Sequence, residues 1–77
     1  MKQSDFLRAL EVSLEIEPGS ISGTESFNEL EWWDSMAAIV FIAVADEKLN
    51  VMVTGAQLQQ CRSVPDLLAL LGPAITP

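Results

Sequence analysis

The chain has 77 residues, with four Lys and Arg against eleven Asp and Glu, a formal net charge of −7. That length allows one small domain with a thin core, while 49% hydrophobic and 19% charged residues are too apolar for an acidic disordered tail. An acidic surface repels phosphate, so nucleic acid and anionic membranes are disfavoured as partners and basic partners are favoured.

Missing residue types exclude more. With no His, no Tyr and a single Cys, the chain can assemble neither an ordinary zinc site nor a Ser-His or Cys-His catalytic pair. No metal site is expected, and the chain is not expected to be an enzyme. The N-terminal MKQSDFLRAL is interrupted by Asp5 and Arg8 and does not read as a signal peptide. The longest apolar run, Met36 to Ala45, is ten residues, short of the ~20 needed to span a bilayer. A lone Cys61 offers no disulfide framework. Cytoplasmic residence is the expectation.

The first periodic stretch runs from Asp5 to Ile16 with Ser4 as its N-cap. Phe6, Leu7, Leu10 and Leu14 share one face, and Arg8, Glu11 and Glu15 lie opposite. Glu17-Pro18-Gly19 ends it. Between Pro18 and Trp33 no period holds, and Ile21, Phe27 and Leu30 are the apolar anchors of a long loop. Ser26-Phe27-Asn28-Glu29 fits a capping box and predicts one short helical turn.

A second helix is predicted from Asp34-Ser35 to Lys48 or Leu49. The directions claimed by Asp46, Glu47 and Lys48 leave a charge-free sector of Ala38, Ile42, Ala45 and Leu49, flanked by Ile39 and Phe41, as the core face. Met36, Val40, Ala43 and Glu47 then face solvent, with Ala37 and Val44 at the edge. Val51-Met52-Val53 reads as extended and partly buried. Thr54-Gly55-Ala56-Gln57 opens a short helix to about Gln60. Ser63-Val64-Pro65-Asp66 opens the last one, whose stripe is Val64, Leu67, Leu68 and Leu71 and whose stop is Gly72-Pro73. The prediction is an all-α, four-helix bundle: three main helices, one short one and a long first loop. It forms one domain over residues 1–77, with its ordered core at about 4–72 and a short tail at 73–77. Cys61, three residues after Leu58, is expected to be a small buried apolar residue.

One junction carries chemistry: Glu31-Trp32-Trp33-Asp34-Ser35-Met36, followed at once by an apolar helix. A Ser in a first helical turn sits near unpaired backbone N–H groups and the positive end of the helix dipole, where an attached phosphate is stabilised without a nearby cation. On local chemistry alone the reading of Asp34 or Ser35 as a simple helix cap prevails, because Asp-Ser is a common dipeptide and caps occur at most helix starts. The two tryptophans are adjacent, so both are not expected to enter so thin a core; the sequence leaves open which one packs.

From about Ser4 to Leu71 the chain resembles an acyl carrier protein. The resemblance rests on Asp34-Ser35-Met36, similar to the family's Asp-Ser-Leu attachment motif. It extends to the long loop before that motif, Asp46 to Leu49 at the helix end, Val51-Met52-Val53 and the last helix. It implies that a phosphopantetheinyl transferase moves 4′-phosphopantetheine from coenzyme A onto Ser35, and that the thiol of this arm holds acyl groups as thioesters. Asp34 would serve transferase recognition as well as capping, and Met36 would be an apolar contact beside the arm.

The family's second helix is its main recognition surface, which here implies partner contacts at Trp33, Met36, Ala37, Val40, Asp46 and Glu47. Ala37 and Val40 stand where acids are common in the family, so docking is expected to lean on apolar contacts and to suit a specialised pathway. The implied protein is a stand-alone, monomeric acyl carrier of fatty-acid, polyketide or other specialised biosynthesis. Its partners are the transferase and acyl-loading, condensing or acyl-transferring enzymes with basic and apolar patches. The alternatives are an aminoacyl or peptidyl carrier and an unmodified helical adaptor.

Overall fold

A computed structural model describes residues 1–77. Its four helices are α1 (Gln3–Leu14), α2 (Ser35–Leu49), α3 (Gly55–Gln59) and α4 (Val64–Leu71), with 3₁₀ turns at Phe27–Glu29 and Gly72–Ala74 and no β-strand. The predicted all-α bundle of three main helices, one short helix and a long first loop is the observed fold. Phe6, Leu7 and Leu10 of α1, Phe41, Val44 and Ala45 of α2, Leu58 beside Cys61, and Val64, Leu67, Leu68 and Leu71 of α4 form one buried cluster. At its centre Phe6 meets Phe41 edge to face, with ring centroids 5.8 Å apart.

Three helix starts follow local chemistry. Asp34 Oδ1 accepts from the Ala37 N–H at 2.9 Å, Thr54 Oγ1 from Gln57 at 3.2 Å and Ser63 Oγ from Asp66 at 3.3 Å. The start of α1 does not. The helix begins at Gln3, ahead of the predicted Ser4 cap, and no side chain caps it. Instead the C-terminal segment returns alongside: Gln3 N–H donates to Thr76 O at 2.7 Å, and Thr76 N–H donates to Met1 O at 2.9 Å. A backbone partner from the far end of the chain thus replaces the side-chain cap. At its other end α1 stops at Leu14, short of the predicted Ile16, because Glu15 turns left-handed at φ 59°.

Glu11 corrects the reading of α1. Predicted on the polar face, it is 0% exposed. Its carboxylate accepts from the Gly19 N–H at 3.1 Å and the Ile21 N–H at 2.8 Å, and pairs with Arg8 Nε at 2.7 Å. Arg8 Nη2 in turn donates to Ile21 O at 2.6 Å. The clasp fastens the first loop to α1 and buries Ile21 completely. Gly23 lies against the same helix at φ +103°, a left-handed turn that requires glycine. The loop's other end is pinned to α4: Val64 N–H donates to Glu25 O at 2.8 Å, and Phe27 N–H donates to Arg62 O at 3.0 Å.

Candidate attachment site at the start of the second helix

Two long-range fastenings therefore hold the segment leading into α2. Asp34 is extended at φ −150° and ψ −170° and caps the helix with its side chain, while its carbonyl accepts the Ala38 N–H at 3.0 Å. That settles the division of labour between the two motif residues. Asp34 is the cap, and Ser35 is the first helical residue, exposed, with its hydroxyl engaged in no hydrogen bond. The N–H groups of Ser35 and Met36 have no acceptor within the chain, which leaves donors and the positive end of a 15-residue helix dipole beside that hydroxyl. The arrangement suits a phosphoryl group covalently attached at Ser35.

The sequence left open which tryptophan packs, and the structure gives both the same standing: each is half-buried against the core and neither is fully inside it. Trp33 stacks on Phe27, with centroids 4.6 Å apart and ring planes 19° from parallel, and Trp32 meets Trp33 edge to face at 6.0 Å. Phe27 and Trp33 line a largely apolar cleft of about 450 Å³, whose lining also includes Asp34 and Ser35. Ala38, Ile39 and Ile42 of α2 line it as well, together with Leu58 and Cys61. Cys61 is buried, as expected of a small apolar residue, and burial followed by the charge of Asp66 pushes its thiol pKa up.

The orientation of α2 departs from the helical wheel by roughly a quarter turn. The buried residues are Ala37, Phe41, Val44 and Ala45, rather than a face centred on Ala38, Ile42, Ala45 and Leu49. Lys48 misled the wheel. It shares the direction of Phe41 and Ala37, but it lies in the last turn, where the helix runs beyond the core and its side chain is 44% exposed. Ala37 is 2% exposed and so is not available at the surface, and Val40 is half-buried against the core. The exposed face is instead Met36, Ile39, Ala43, Asp46 and Glu47, with Met36 at 66% and Ile39 at 61% exposure. Ile39, expected to flank the core, lies both on this face and at the lip of the cleft.

Residues 4–71 match the family described as phosphopantetheine attachment site, and the chain belongs to that family. A domain of this family is the attachment site for covalently bound 4′-phosphopantetheine, and such domains are generally non-catalytic carriers. No curated protein and no solved structure matches the chain. No helix is long and apolar enough to cross a membrane.

Proposed function

We propose that the chain is an acyl carrier protein whose attachment residue is Ser35. The observation that carries this reading is a division of roles within a matched carrier family: Asp34 caps the helix, leaving an exposed, unengaged Ser35 hydroxyl among unpaired N–H donors. When bound, the arm supplies a thiol that holds acyl groups as thioesters, chemistry for which the chain has no residues of its own. A phosphopantetheinyl transferase forms the bond between Ser35 Oγ and the phosphorus, while the bond to the nucleotide half of coenzyme A breaks. Asp34 holds the serine at the helix tip during that encounter and forms part of what the transferase recognises.

The carrier itself is non-enzymatic, monomeric and cytoplasmic, and serves fatty-acid, polyketide or other specialised biosynthesis. Acyl rather than aminoacyl cargo is supported by the largely apolar lining of the cleft that Ser35 borders. Its partners load, condense or transfer acyl groups. They meet Met36 and Ile39 with an apolar patch, while cations near it face Asp46 and Glu47. Trp33 serves the cleft wall more than this face, and Ala37 and Val40 support the helix from beneath.

The experiment is acylation of the full chain after incubation with coenzyme A, a broad-specificity transferase and an acyl donor. The expected product carries its acyl group in a bond that hydroxylamine cleaves, as a thioester requires. A chain that never acquires the arm is an adaptor, and one loaded only by aminoacyl donors is a peptidyl-type carrier.

A further inference from the structure

Trp33 stands immediately before the cap of α2, two residues from Ser35, and takes no part in the capping. A bulky apolar residue at that position fixes the angle at which the chain enters a helix, usually by packing on the fourth helical residue. Here that residue is Ala38, whose single methyl offers an indole little to pack on. Trp33 has its partner in Phe27 instead. The two rings stack at 4.6 Å, and Trp32 adds an edge-to-face contact at 6.0 Å. Phe27 is itself fixed at both backbone groups: its N–H donates to Arg62 O at 3.0 Å, and its carbonyl accepts from Leu30 at 3.1 Å. The stack thus ties the entry of α2 to the segment that precedes α4. Displacement at phosphorus is sensitive to direction, because the attacking oxygen must lie roughly opposite the one that leaves. The hydroxyl of a first helical residue turns with the entry angle of the chain. We propose that Trp33, through its stack on Phe27, is a positioning residue for arm transfer, aiming Ser35 Oγ by fixing how the chain enters α2. The proposal rests on Ser35 being the attachment residue.

The test follows arm transfer from coenzyme A to the full chain by a broad-specificity transferase, resolving kcat and KM. The variants are Trp33→Leu and Phe27→Leu, which keep apolar bulk, their double variant, and Trp33→Phe. Loss of the stack should lower kcat roughly two- to tenfold, the factor that an aromatic pair is worth. KM should change little, because Met36, Ile39, Asp46 and Glu47 remain exposed and in place. The double variant should lose no more than either single one, and Trp33→Phe should recover most of the rate. Amide exchange separates positioning from general loosening. Ala37, whose N–H Asp34 accepts, should exchange faster in Trp33→Leu, while Gln57, held in the same way by Thr54, keeps its rate. An unchanged kcat, a loss confined to KM, additive losses in the double variant, or equal acceleration at Ala37 and Gln57 would overturn the positioning role and leave the attachment site standing. An unsubstituted chain that takes up no arm at Ser35 would remove both.

Discussion

At the scale of single residues, two carboxylates do structural tasks that decide where Ser35 stands. Asp34 satisfies one first-turn N–H of α2. Asp34→Ala should lower stability by about 1 kcal/mol, the usual cost of losing a side-chain cap, measured by urea unfolding with the slope unchanged. Glu11 matters more, because three partners converge on a side chain with no exposure. Glu11→Ala leaves the Gly19 and Ile21 N–H groups without their acceptor and Arg8 without its counter-charge. A loss of about 3 kcal/mol is expected in the same unfolding measurement. Asp34 was legible as a cap because an Asp before an apolar run has one obvious use. Glu11 was missed because the charge of a Glu argues for solvent. The signal was its position four residues after Leu7, on the margin of the apolar stripe.

At the scale of elements, the boundaries of α2, α3 and α4 and their three caps could be read from sequence because they depend on neighbouring residues. Both ends of α1 were instead shifted, by the returning C-terminal segment and the left-handed Glu15. The orientation of α2 could not be read. From Met36 to Ala45 the helix has no polar side chain to mark an outward direction, so packing against Phe6 of α1 decides it. The consequence is a paired prediction. Ile39→Glu should leave stability nearly unchanged, since Ile39 is 61% exposed, and should slow acyl transfer to the cognate partner. Val40→Glu should instead unfold more readily, by about 1–3 kcal/mol, because it places a charge against the core. Transfer kinetics and denaturant midpoints measured on both variants separate docking from stability.

The first loop has its own pH sensitivity. Partial burial alone would raise the Glu25 pKa, but backbone N–H donors led by Ser22, followed by that of Glu25 itself and of Gly23, with the Ser22 hydroxyl, hold the carboxyl below its ordinary value of 4.5. A lowered folded value means that the contribution to stability is complete above pH 4.5 and is lost as pH falls through the folded value. Amide exchange at Ser22, Gly23 and Thr24, whose N–H groups donate to this carboxylate, should therefore accelerate in that acid window beyond the trend of other loop amides. Glu25→Gln should abolish the acceleration.

For the molecule as a whole, the net charge of −7 acquires a location. Glu11, Glu15, Glu17, Glu25, Glu29, Glu31 and Asp34 all precede Ser35 in the first helix and loop, and of these Glu11 is spent inside the fold. Beyond Ser35 the surface of α2 is apolar until Asp46. The serine thus stands between an acidic approach and an apolar stripe, beside a cleft it helps to line and at the tip of a helix packed against α1 and α3. Composition excluded catalysis by the usual residues, and the motif at Asp34-Ser35-Met36 pointed to the tip. The cleft was illegible, because it joins Phe27 and Trp33 of the loop to Leu58 across the bundle.

The account depends most on one bond, between the arm and Ser35. The direct measurement is intact-mass and fragment analysis of the full chain after incubation with coenzyme A and a transferase. Ser35→Ala and Ser63→Ala are treated alongside, since Ser63 also stands at a helix start but is used as its cap. A single phosphopantetheine increment is expected on Ser35, kept in Ser63→Ala and absent from Ser35→Ala. An increment that survives in Ser35→Ala, or none on the unsubstituted chain with several broad-specificity transferases, would contradict it.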